Sequence, residues 1–465
     1  MSEGRIVISF MEMSSSLFVS PQELYRYFLE HPSVCTDSRK LKEGDIFVAL
    51  KGENFDGNDY ALKSLELGAS YAVVSRPELA STNSQCLLVE DTLKALQGLA
   101  LEHRKHLNIP VVAITGTNGK TTTKELTNAV LSQKYRVWAT EGNLNNHIGV
   151  PLTILKITQE HEVAIIEMGA SAAGEIELLA SIARPTLGLI TNIGKAHLKG
   201  FGSQEGILNA KGELFEFLES SGGAYLLNGD DPLLMKRWQQ EGVKVYALGD
   251  DSSERYVAGE ILSDHPYLSL SIQASAEERE VHTHLVGKYN YSNVLAAAAV
   301  GVYLGVNLEM IKQAIEQYVP SNNRSQLVAL GRGIDLILDC YNANPSSMRA
   351  ALENLQAVEK SNKLVILGDM LELGEASLEE HQSILGWLNN HPNIEAILVG
   401  NEFGKALVNH PNSSNQISYF SEINEAQECL ESYDLLDDTV ILVKGSRGIA
   451  LEKCAPFIEK AAKDN

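Results

Sequence analysis

A glycine-rich segment, Val111 to Thr127, contains the residue types that bind phosphate groups. It reads VVAITGTNGKTTTKELT, an apolar strand followed by a loop and the start of a helix. Glycine lets a loop backbone approach phosphate oxygens, and the helix adds the positive end of its dipole. Lys120 would add a full charge, and Thr121 would place its hydroxyl on the magnesium ion that accompanies a nucleotide. The predicted nucleotide contacts are Gly116, Thr117, Asn118, Gly119, Lys120, Thr121 and Thr122.

This phosphate loop is shorter than the usual one. Only Thr117 and Asn118 separate its glycines, where the common motif has four residues, so the pattern is G-x-x-G-K-T. The alternative is a strand-turn-helix junction in which the Gly-Lys-Thr sequence is accidental. The position between an apolar strand and a helix favours nucleotide binding.

Three side chains downstream of the loop could serve the same nucleotide. Glu167 ends the apolar run VAIIEMG, where a neighbouring parallel strand would present a carboxylate to magnesium. The alternative is that Glu167 caps the next helix. His197 follows another strand and could reach a metal, or it could be an ordinary histidine. Lys211 lies near a helix start, and by itself it reads as a solvated surface lysine.

Short β-branched runs that alternate with helical stretches must position these residues. Such alternation predicts an α/β fold in which helices cover both faces of parallel sheets. The six clearest runs are Val111 to Thr115, Val163 to Glu167, Leu187 to Thr191, Lys363 to Leu367, Ala396 to Val399 and Thr439 to Val443.

Two turn-forming segments divide the chain into three predicted domains. They are Asn108 to Pro110 and Val319 to Asn323, and 465 residues exceed what one hydrophobic core usually holds. We expect a small N-terminal α/β substrate domain over residues 1–107 and a central P-loop ATPase domain with a parallel sheet over 108–319. A C-terminal Rossmann-like domain would occupy residues 320–465.

Composition and charge exclude several classes of protein. Hydrophobic residues make up 44% and charged residues 21%, as in soluble globular proteins. A net charge of -22 opposes extended binding to nucleic acid. The five cysteines are scattered without a C-x-x-C pair, which is typical of reduced thiols, and the apolar run Ile6 to Phe10 is too short for a membrane span. We therefore expect a cytoplasmic protein without nucleic-acid partners or membrane insertion. We take it to be a monomer, although neither composition nor charge bears on the oligomeric state.

Ordered motifs along almost the whole chain resemble the Mur ligase family. They are DSR at Asp37 to Arg39, GENFDGNDY at Gly52 to Tyr60, ITGTNGKTT around Lys120, GNLNNHIGVP at Gly142 to Pro151, EMGAS at Glu167 to Ser171, NIGKAH at Asn192 to His197, AKGELFE at Ala210 to Glu216, GKYNYSNVLAA at Gly287 to Ala297, Arg324, DCYNANPSSM at Asp339 to Met348, LGDMLELG at Leu367 to Gly374 and VKGSRG at Val443 to Gly448. Two positions depart from the family pattern, Tyr289 where many members have His and Lys199 where Glu is common.

The resemblance implies an activity and its cofactors. DCYNANPSSM and LGDMLELG favour the branch that joins D-alanyl-D-alanine to UDP-N-acetylmuramoyl tripeptide through an acyl phosphate, in cytoplasmic peptidoglycan synthesis. ATP and Mg²⁺ would be required, with Lys120, His197 and Lys211 as catalytic residues. Glu167 and His197 would hold magnesium, and Lys211 would carry CO2 as a carbamate that binds or positions a second ion.

The resemblance also implies contacts with both substrates. Asn290, Arg324 and Asp339 would close on ATP from beyond the phosphate loop. The residues implied to bind the UDP-linked substrate or the peptide are Asp37, Ser38, Arg39, Asn143, Asn145, Asn146, Tyr341, Asn342 and Asn344.

Three other functions compete with this interpretation. A sibling Mur ligase would add a diamino acid to the UDP-muramoyl dipeptide, but its typical D-N-P-R motif is absent from the sequence. A P-loop nucleotide hydrolase or switch would share the loop, yet no N-K-x-D motif for guanine is present. A non-catalytic scaffold would be expected to lose Lys120 or Glu167, and both are present.

Overall fold

The computed structural model describes residues 18–196, 198–249, 255–321, 323–409 and 417–464. The run Ile6 to Phe10, His197 and Asn322 therefore lie outside the described residues. The strands are β1 (Val34–Cys35), β2 (Ile46–Val48), β3 (Tyr71–Val74), β4 (Cys86–Leu88), β5 (Val111–Thr115), β6 (Val137–Ala139), β7 (Val163–Glu167), β8 (Leu187–Ile190), β9 (Ala224–Asn228), β10 (Lys244–Leu248), β11 (Val257–Ser263), β12 (Ser269–Ala274), β13 (Glu277–His282), β14 (Gln326–Gly331), β15 (Ile334–Leu338), β16 (Asn362–Gly368), β17 (Ile394–Val399), β18 (Ile417–Phe420) and β19 (Thr439–Lys444).

Helices connect most of these strands. They are α1 (Pro21–Glu30), α2 (Ala61–Glu66), α3 (Pro77–Thr82), α4 (Thr92–Lys105), α5 (Lys120–Leu131), α6 (Gly149–Leu155), α7 (Glu175–Ala183), α8 (Leu198–Phe201), α9 (Gln204–Ser221), α10 (Pro232–Trp238), α11 (Tyr291–Tyr303), α12 (Leu308–Gln317), α13 (Pro345–Ala357), α14 (Ser377–Asn389), α15 (Asn401–Asn409), α16 (Ile423–Glu431) and α17 (Ala455–Asp464).

The strands form three sheets, as the predicted three-domain α/β fold requires. The first has the order β1-β2-β3-β4, the second β13-β12-β11-β10-β9-β8-β5-β7-β6, and the third β14-β15-β19-β16-β17-β18. Each sheet falls within one predicted domain, while the boundaries at residues 107/108 and 319/320 stay a prediction. The sheets are parallel except that β12 pairs antiparallel with β11 and β13, and β14 pairs antiparallel with β15. The sequence did not predict these antiparallel strands.

The central sheet brings the predicted nucleotide residues to one edge. β5 pairs in parallel with β7 on one side and with β8 on the other. All three strands are fully buried, because helices cover both faces. Their carboxyl ends therefore lie together, and at such an edge α/β proteins bind ligands. β5 leads into the phosphate loop there, and Glu167 ends β7 beside it.

The C-terminal sheet has an equivalent edge. β19 pairs in parallel with β15 and with β16, so the three strands end side by side. The residues that end or directly follow them, Asp339, Asp369 and Lys444, are consequently neighbours. This edge carries all three multi-residue motifs that the C-terminal part of the chain contributes to the family resemblance, DCYNANPSSM, LGDMLELG and VKGSRG.

The N-terminal unit shares its core with the central unit. Leu24 of α1 and Leu96 of α4 belong to the same buried cluster as Ile154 of α6 and Ile166 of β7. The buried guanidinium of Arg104 donates to the carbonyl oxygen of Ala183 at 2.8 Å. The first two units are thus packed together rather than joined only by a linker.

Two further features concern the length of the helices and the state of the cysteines. None of the helices in the described ranges is both long and apolar enough to cross a bilayer. All five cysteines are free thiols.

Candidate active site

The phosphate loop has a backbone that only glycine accommodates at two positions. Gly116 has φ of 145° and Gly119 has φ of 78°, both in the region that side chains disfavour. A Cβ atom at Gly116 would clash with Thr191, and one at Gly119 would clash with Asn293. The two glycines therefore let the loop pack tightly between the end of β8 and α11.

Lys120 begins α5 and curls back over the loop. Its Nζ donates to the carbonyl oxygens of Gly116 at 2.8 Å and Thr117 at 3.2 Å. Burial lowers the pKa of Lys120, the Glu167 carboxylate opposes this shift, and Arg324 adds to it. The first N–H groups of α5 have no carbonyl of their own helix to bind, so loop and helix together present donors and one cation to an anion.

Glu167 is a buried carboxylate held in one orientation. Its side chain accepts a hydrogen bond from Thr121 Oγ1 at 2.9 Å and, through the other oxygen, from Asn145 Nδ2 at 2.8 Å. Its backbone N–H donates to Thr140 Oγ1 at 3.0 Å. The structure thus places the hydroxyl and the carboxylate that the sequence predicted for magnesium in direct contact. The alternative that Glu167 caps a helix is wrong, because α7 begins only at Glu175.

The C-terminal unit contributes a second set of charges. Asp339 pairs with Nζ of Lys444 at 2.6 Å and accepts the backbone N–H of Ser325 at 3.2 Å. The side chain of Lys444 is only 2% exposed. The Arg324 guanidinium lies 3.7 Å from the centre of the Tyr341 ring, a cation–π contact.

Hydrogen bonds join the two units across the site. Asn344 Nδ2 donates to Asn118 Oδ1 of the phosphate loop at 2.7 Å. The backbone N–H of Lys195 donates to Ser346 Oγ at 3.0 Å, and its Nζ pairs with Glu380 at 3.0 Å. The central and C-terminal units are therefore closed on each other around a cavity of about 720 Å³.

Comparison with known proteins assigns the chain to a family. Family models match residues 32–104 (Mur ligase family, catalytic domain), 114–301 (Mur ligase middle domain) and 323–447 (Mur ligase, glutamate ligase domain). The chain belongs to the Mur ligase family. A relative from Bacillus subtilis strain 168, named UDP-N-acetylmuramoyl-tripeptide–D-alanyl-D-alanine ligase, is 34% identical over 458 residues, which is 97% of each chain.

Two solved Mur ligases share the fold. The crystal structure of MurF from Acinetobacter baumannii superimposes with a TM-score of 0.81 at 31% identity, covering 92% of this chain and 93% of that one. The MurF ligase from Thermotoga maritima, crystallised in complex with ADP, gives a TM-score of 0.81 at 26% identity, covering 94% and 99%. The three-domain α/β fold is confirmed.

Most residues that the sequence singled out in this Mur ligase line the one cavity. They are Thr117, Asn118, Gly119, Lys120, Thr121, Thr122, Asn143, Asn145, Asn146, Glu167, Asn290, Arg324, Asp339, Tyr341, Asn342 and Asn344. Gly116 packs against Thr191 on the side of the loop away from the cavity, so it does not line the cavity. His197 cannot be placed, because it lies outside the described residues.

Lys211 is not the solvated surface lysine that its local sequence suggested. It is 2% exposed, and its Nζ lies 5.6 Å from the centre of the Phe201 ring. Burial lowers the pKa of Lys211 well below its usual value, Lys120 lowers it further, and Glu175 and Glu213 oppose the shift. Lys211 does not line the cavity, but it is near enough for its charge to interact with that of Lys120.

The DSR motif lies away from this cavity. The Arg39 guanidinium binds the Asp37 carboxylate through two hydrogen bonds of 2.8 and 2.9 Å. These bonds lower the pKa of Asp37 to about 2. Asp37, Ser38 and Arg39 follow β1 on the surface of the N-terminal unit, so their role in binding substrate stays a prediction.

Sequence reasoning missed several side chains of the site. Asn293, Lys444 and Arg447 line the cavity, although no contact was assigned to them. Asn293 was detectable because it lies three residues after Asn290, one helical turn along the same face. Lys444 was detectable because it ends a buried parallel strand.

The departure at Tyr289 is accommodated locally. The Tyr289 hydroxyl forms a 2.8 Å hydrogen bond with Ser325 Oγ, and burial raises the pKa of Tyr289. Tyr289 lines the cavity beside Asn290. Lys199, which stands where Glu is common in the family, lies near Gly374 of the C-terminal unit.

Proposed function

We propose that this Mur ligase joins D-alanyl-D-alanine to UDP-N-acetylmuramoyl tripeptide, with conversion of ATP to ADP and phosphate. The observation that carries the proposal is the cavity in which the phosphate loop, Glu167 and the C-terminal charges face one another. The names of full-length relatives with the same reaction support the choice of substrates. The product is the pentapeptide precursor of peptidoglycan, made in the cytoplasm by an enzyme that we take to be monomeric.

The chemistry begins with a carboxylate that is a poor electrophile. An oxygen of the tripeptide carboxylate attacks the γ-phosphorus of ATP, a P–O bond forms, and the bond to ADP breaks. The amine of the dipeptide then attacks the acyl carbon, loses a proton, and expels inorganic phosphate as the amide forms. Both steps crowd negative charge and require aligned reactants, which are the two problems that a protein can relieve.

The phosphate loop helps to neutralise the negative charge that both steps crowd together. Lys120 lies over the phosphate loop, and its ammonium group and the N–H groups at the start of α5 would face the phosphates of ATP. Fixed donors of this kind typically contribute about 3 to 4 kcal/mol each to a transition state. Asn290, Arg324 and Asp339 would hold the nucleoside and the outer phosphates from the opposite side.

Thr121 and Glu167 fit a magnesium ion. Within the described residues there is no cluster of three or more His, Cys, Asp or Glu side chains that could hold a metal. Magnesium commonly uses only one or two protein oxygens and takes the rest from phosphates and water. Bound there, it would neutralise charge on the phosphates. His197 remains our candidate for a further ligand.

Lys211 fits a carbamate. Burial lowers the pKa of Lys211 and so favours the neutral amine, the form that adds to CO2. The product would be an anion close to Lys120. We infer that this anion binds or positions a second magnesium ion, a task that an unmodified lysine cannot perform.

The two organic substrates would approach from different units. We assign Asp37, Ser38 and Arg39 to the UDP-linked substrate, together with the asparagines that line the cavity, Asn143, Asn145 and Asn146. Tyr341, Asn342 and Asn344 of the C-terminal unit would face the peptide ends that react.

One assay tests the proposed function. ATP, Mg²⁺ and UDP-N-acetylmuramoyl tripeptide are incubated with D-alanyl-D-alanine or with single amino acids, and phosphate release and product mass are followed. We expect phosphate release that depends on the dipeptide and a product heavier by one dipeptide less water. Phosphate release at the same rate with and without the dipeptide would favour a nucleotide hydrolase. A product formed from UDP-muramoyl dipeptide and a diamino acid would favour the sibling ligase.

A further inference from the structure

Arg447 lines the cavity but has no part in the chemistry described above. It follows β19 in the VKGSRG segment, and 61% of its side chain is exposed. Exposed arginines in a cavity wall bind anions readily, because the guanidinium stays charged at all relevant pH.

The other lysines and arginines among the described residues of this cavity wall already have partners. Lys120 covers the phosphate loop, where its ammonium group donates to two loop carbonyls. Lys444 is buried in its ion pair with Asp339, and Arg324 stacks on Tyr341. Arg447 is therefore the cation of the C-terminal wall that is most open to a second anionic ligand.

The Arg447 guanidinium is held in place by its neighbours, yet some of its N–H donors remain available for a ligand. Nη1 pairs with Glu452 at 3.3 Å, and Cζ lies 5.6 Å from the centre of the Tyr341 ring. A guanidinium has five N–H donors, so one carboxylate partner leaves enough of them for a second carboxylate. Tyr341 thus lies within cation–π range of both Arg324 and Arg447.

The loop that carries Arg447 is fixed by its neighbours. The N–H of Ser446 donates to Asp369 O at 3.1 Å, and Ser446 Oγ accepts the N–H of Leu371 at 2.9 Å. The N–H of Ile449 donates to Ser446 O at 2.9 Å. A fixed backbone reduces the ordering cost of binding a ligand.

The dipeptide needs such a cation. Its amine is consumed in the reaction, whereas its carboxylate stays free and charged in the product. We propose that Arg447 binds this carboxylate and so directs the amine toward the acyl centre, an inference that rests on the proposed function. Leu371, which is 41% exposed and lines the cavity beside Arg447, supplies apolar surface for an alanyl methyl group.

Removal of the carboxylate from the substrate and of the guanidinium from the protein tests the proposal. The kcat/KM values for D-alanyl-D-alanine and D-alanyl-D-alaninamide are measured with the wild-type enzyme and with Arg447→Gln. The KM for ATP is measured for both proteins. Arg349→Gln is the matched control, because Arg349 is a partly exposed arginine of the same unit that binds Ser383 and does not line the cavity.

We expect the wild-type enzyme to prefer the acid over the amide by roughly 10- to 100-fold, the factor of a charge-assisted hydrogen bond. Arg447→Gln should lower the kcat/KM for the acid to the value for the amide. The kcat/KM for the amide and the KM for ATP should stay at their wild-type values. Arg349→Gln should behave as wild type. An equal loss on both substrates, or a preference that survives in Arg447→Gln, would overturn the proposal. A wild-type enzyme that makes no product from either dipeptide would instead refute the proposed function, and this inference with it.

Discussion

Glu167 is the residue on which metal binding should depend most, because its carboxylate is held against the phosphate loop. One oxygen accepts from Thr121 of that loop, and the other accepts from Asn145. Glu167→Gln keeps the shape and can still accept the Thr121 hydrogen bond, but it removes the charge. We expect the Mg²⁺ concentration for half-maximal turnover to rise roughly tenfold or more, since magnesium prefers charged oxygen ligands. A magnesium titration of phosphate release measures this effect.

The matched control for Glu167 is Glu141→Gln. Glu141 is exposed at the surface, where it pairs with Lys156 and does not line the cavity. For Glu141→Gln, the Mg²⁺ concentration for half-maximal turnover should stay at the wild-type value. If Glu167→Gln also titrates like wild type, Glu167 is not a magnesium ligand.

Lys211 gives the second prediction at the level of single residues. Lys211→Met keeps an unbranched buried side chain but cannot form a carbamate. We expect turnover to fall roughly a thousandfold, in line with the loss of a charged group from a transition state. The melting temperature should hold or rise, because a buried amine is replaced by an apolar group. Enzyme kept in ¹³C-bicarbonate should show a carbamate carbon by NMR in wild type only, and near-normal turnover of the variant would remove Lys211 from the mechanism.

Sequence reasoning located single residues where a motif and a strand end coincide. Lys120, Thr121 and Glu167 were predictable because glycine spacing and an apolar run fix their positions. The burial of Lys211 was not predictable, because a lysine between a glycine and an acidic residue is typical of the surface. The predicted helix start near Lys211 is also wrong, since α9 begins at Gln204 and places Lys211 in its middle. Lys211 lies on the buried face of α9, where the Phe201 ring is one of its neighbours.

At the scale of elements, the start of α13 is tied to the phosphate loop through Asn344. This residue caps α13 by accepting the N–H of Ser347 at 2.9 Å, and its amide nitrogen donates to Asn118. Asn344→Asp keeps a good cap but replaces the donor by an acceptor. We expect the KM for ATP to rise several-fold with little change in melting temperature.

The control for Asn344 is the same substitution at another helix cap. Asn307 caps α12 by accepting the N–H of Met310 at 2.8 Å and does not line the cavity. Asn307→Asp should leave nucleotide kinetics unchanged. Equal kinetic effects of the two substitutions would show that the bond to Asn118 is irrelevant to ATP binding.

The loop after β16 depends on a buried neutral histidine. His381 Nε2 accepts the N–H of Met370 at 3.0 Å, so the ring proton belongs on Nδ1, which donates to Ser377 O at 2.7 Å. Burial is the main cause that lowers the pKa of His381, and the Ser377 carbonyl and the charges of Asp369, Glu402 and Glu380 oppose it. Because the unfolded chain binds the proton more readily, stability is full above about pH 6.5 and falls as the pH drops below it.

Urea unfolding between pH 8 and 5 tests this prediction. As the pH drops, each buried neutral histidine lowers the free energy of unfolding by at most about 1.4 kcal/mol per pH unit. His103 is buried with a lowered pKa as well, so the fall should be shallower, but not absent, in His381→Gln. Identical pH slopes for wild type and variant would contradict the assignment.

The parallel strands were predictable and the antiparallel ones were not, for a physical reason. Strands buried on both faces are continuous apolar runs, as in β5 and β7. β13 reads EEREVH and lies at the edge of its sheet with most side chains exposed, so its sequence has no such signal. Pairing with β12 over six residues defines it instead.

At the scale of the whole molecule, the contacts differ between the two predicted linkers. The core that α1 and α4 share with the central unit, and the buried bonds of Arg104, oppose motion at residues 108–110. Among the described residues, the contacts across the cavity include hydrogen bonds of Lys195 and Asn344 and the ion pair of the exposed Lys195 side chain with Glu380. Such contacts open at low cost. We therefore expect substrate entry to use rotation of the C-terminal unit about the segment near residue 320, one of the two predicted hinges.

The central claim is that the loop around Lys120 holds ATP while its terminal phosphoryl group passes to a peptide carboxylate. Isotope transfer tests this claim most directly. UDP-N-acetylmuramoyl tripeptide labelled with ¹⁸O in the terminal carboxylate is incubated with ATP, Mg²⁺ and D-alanyl-D-alanine, and the phosphate released is analysed by mass spectrometry. We expect one ¹⁸O atom in each phosphate, carried over from the carboxylate. Phosphate that contains only oxygen from ATP and water would contradict it.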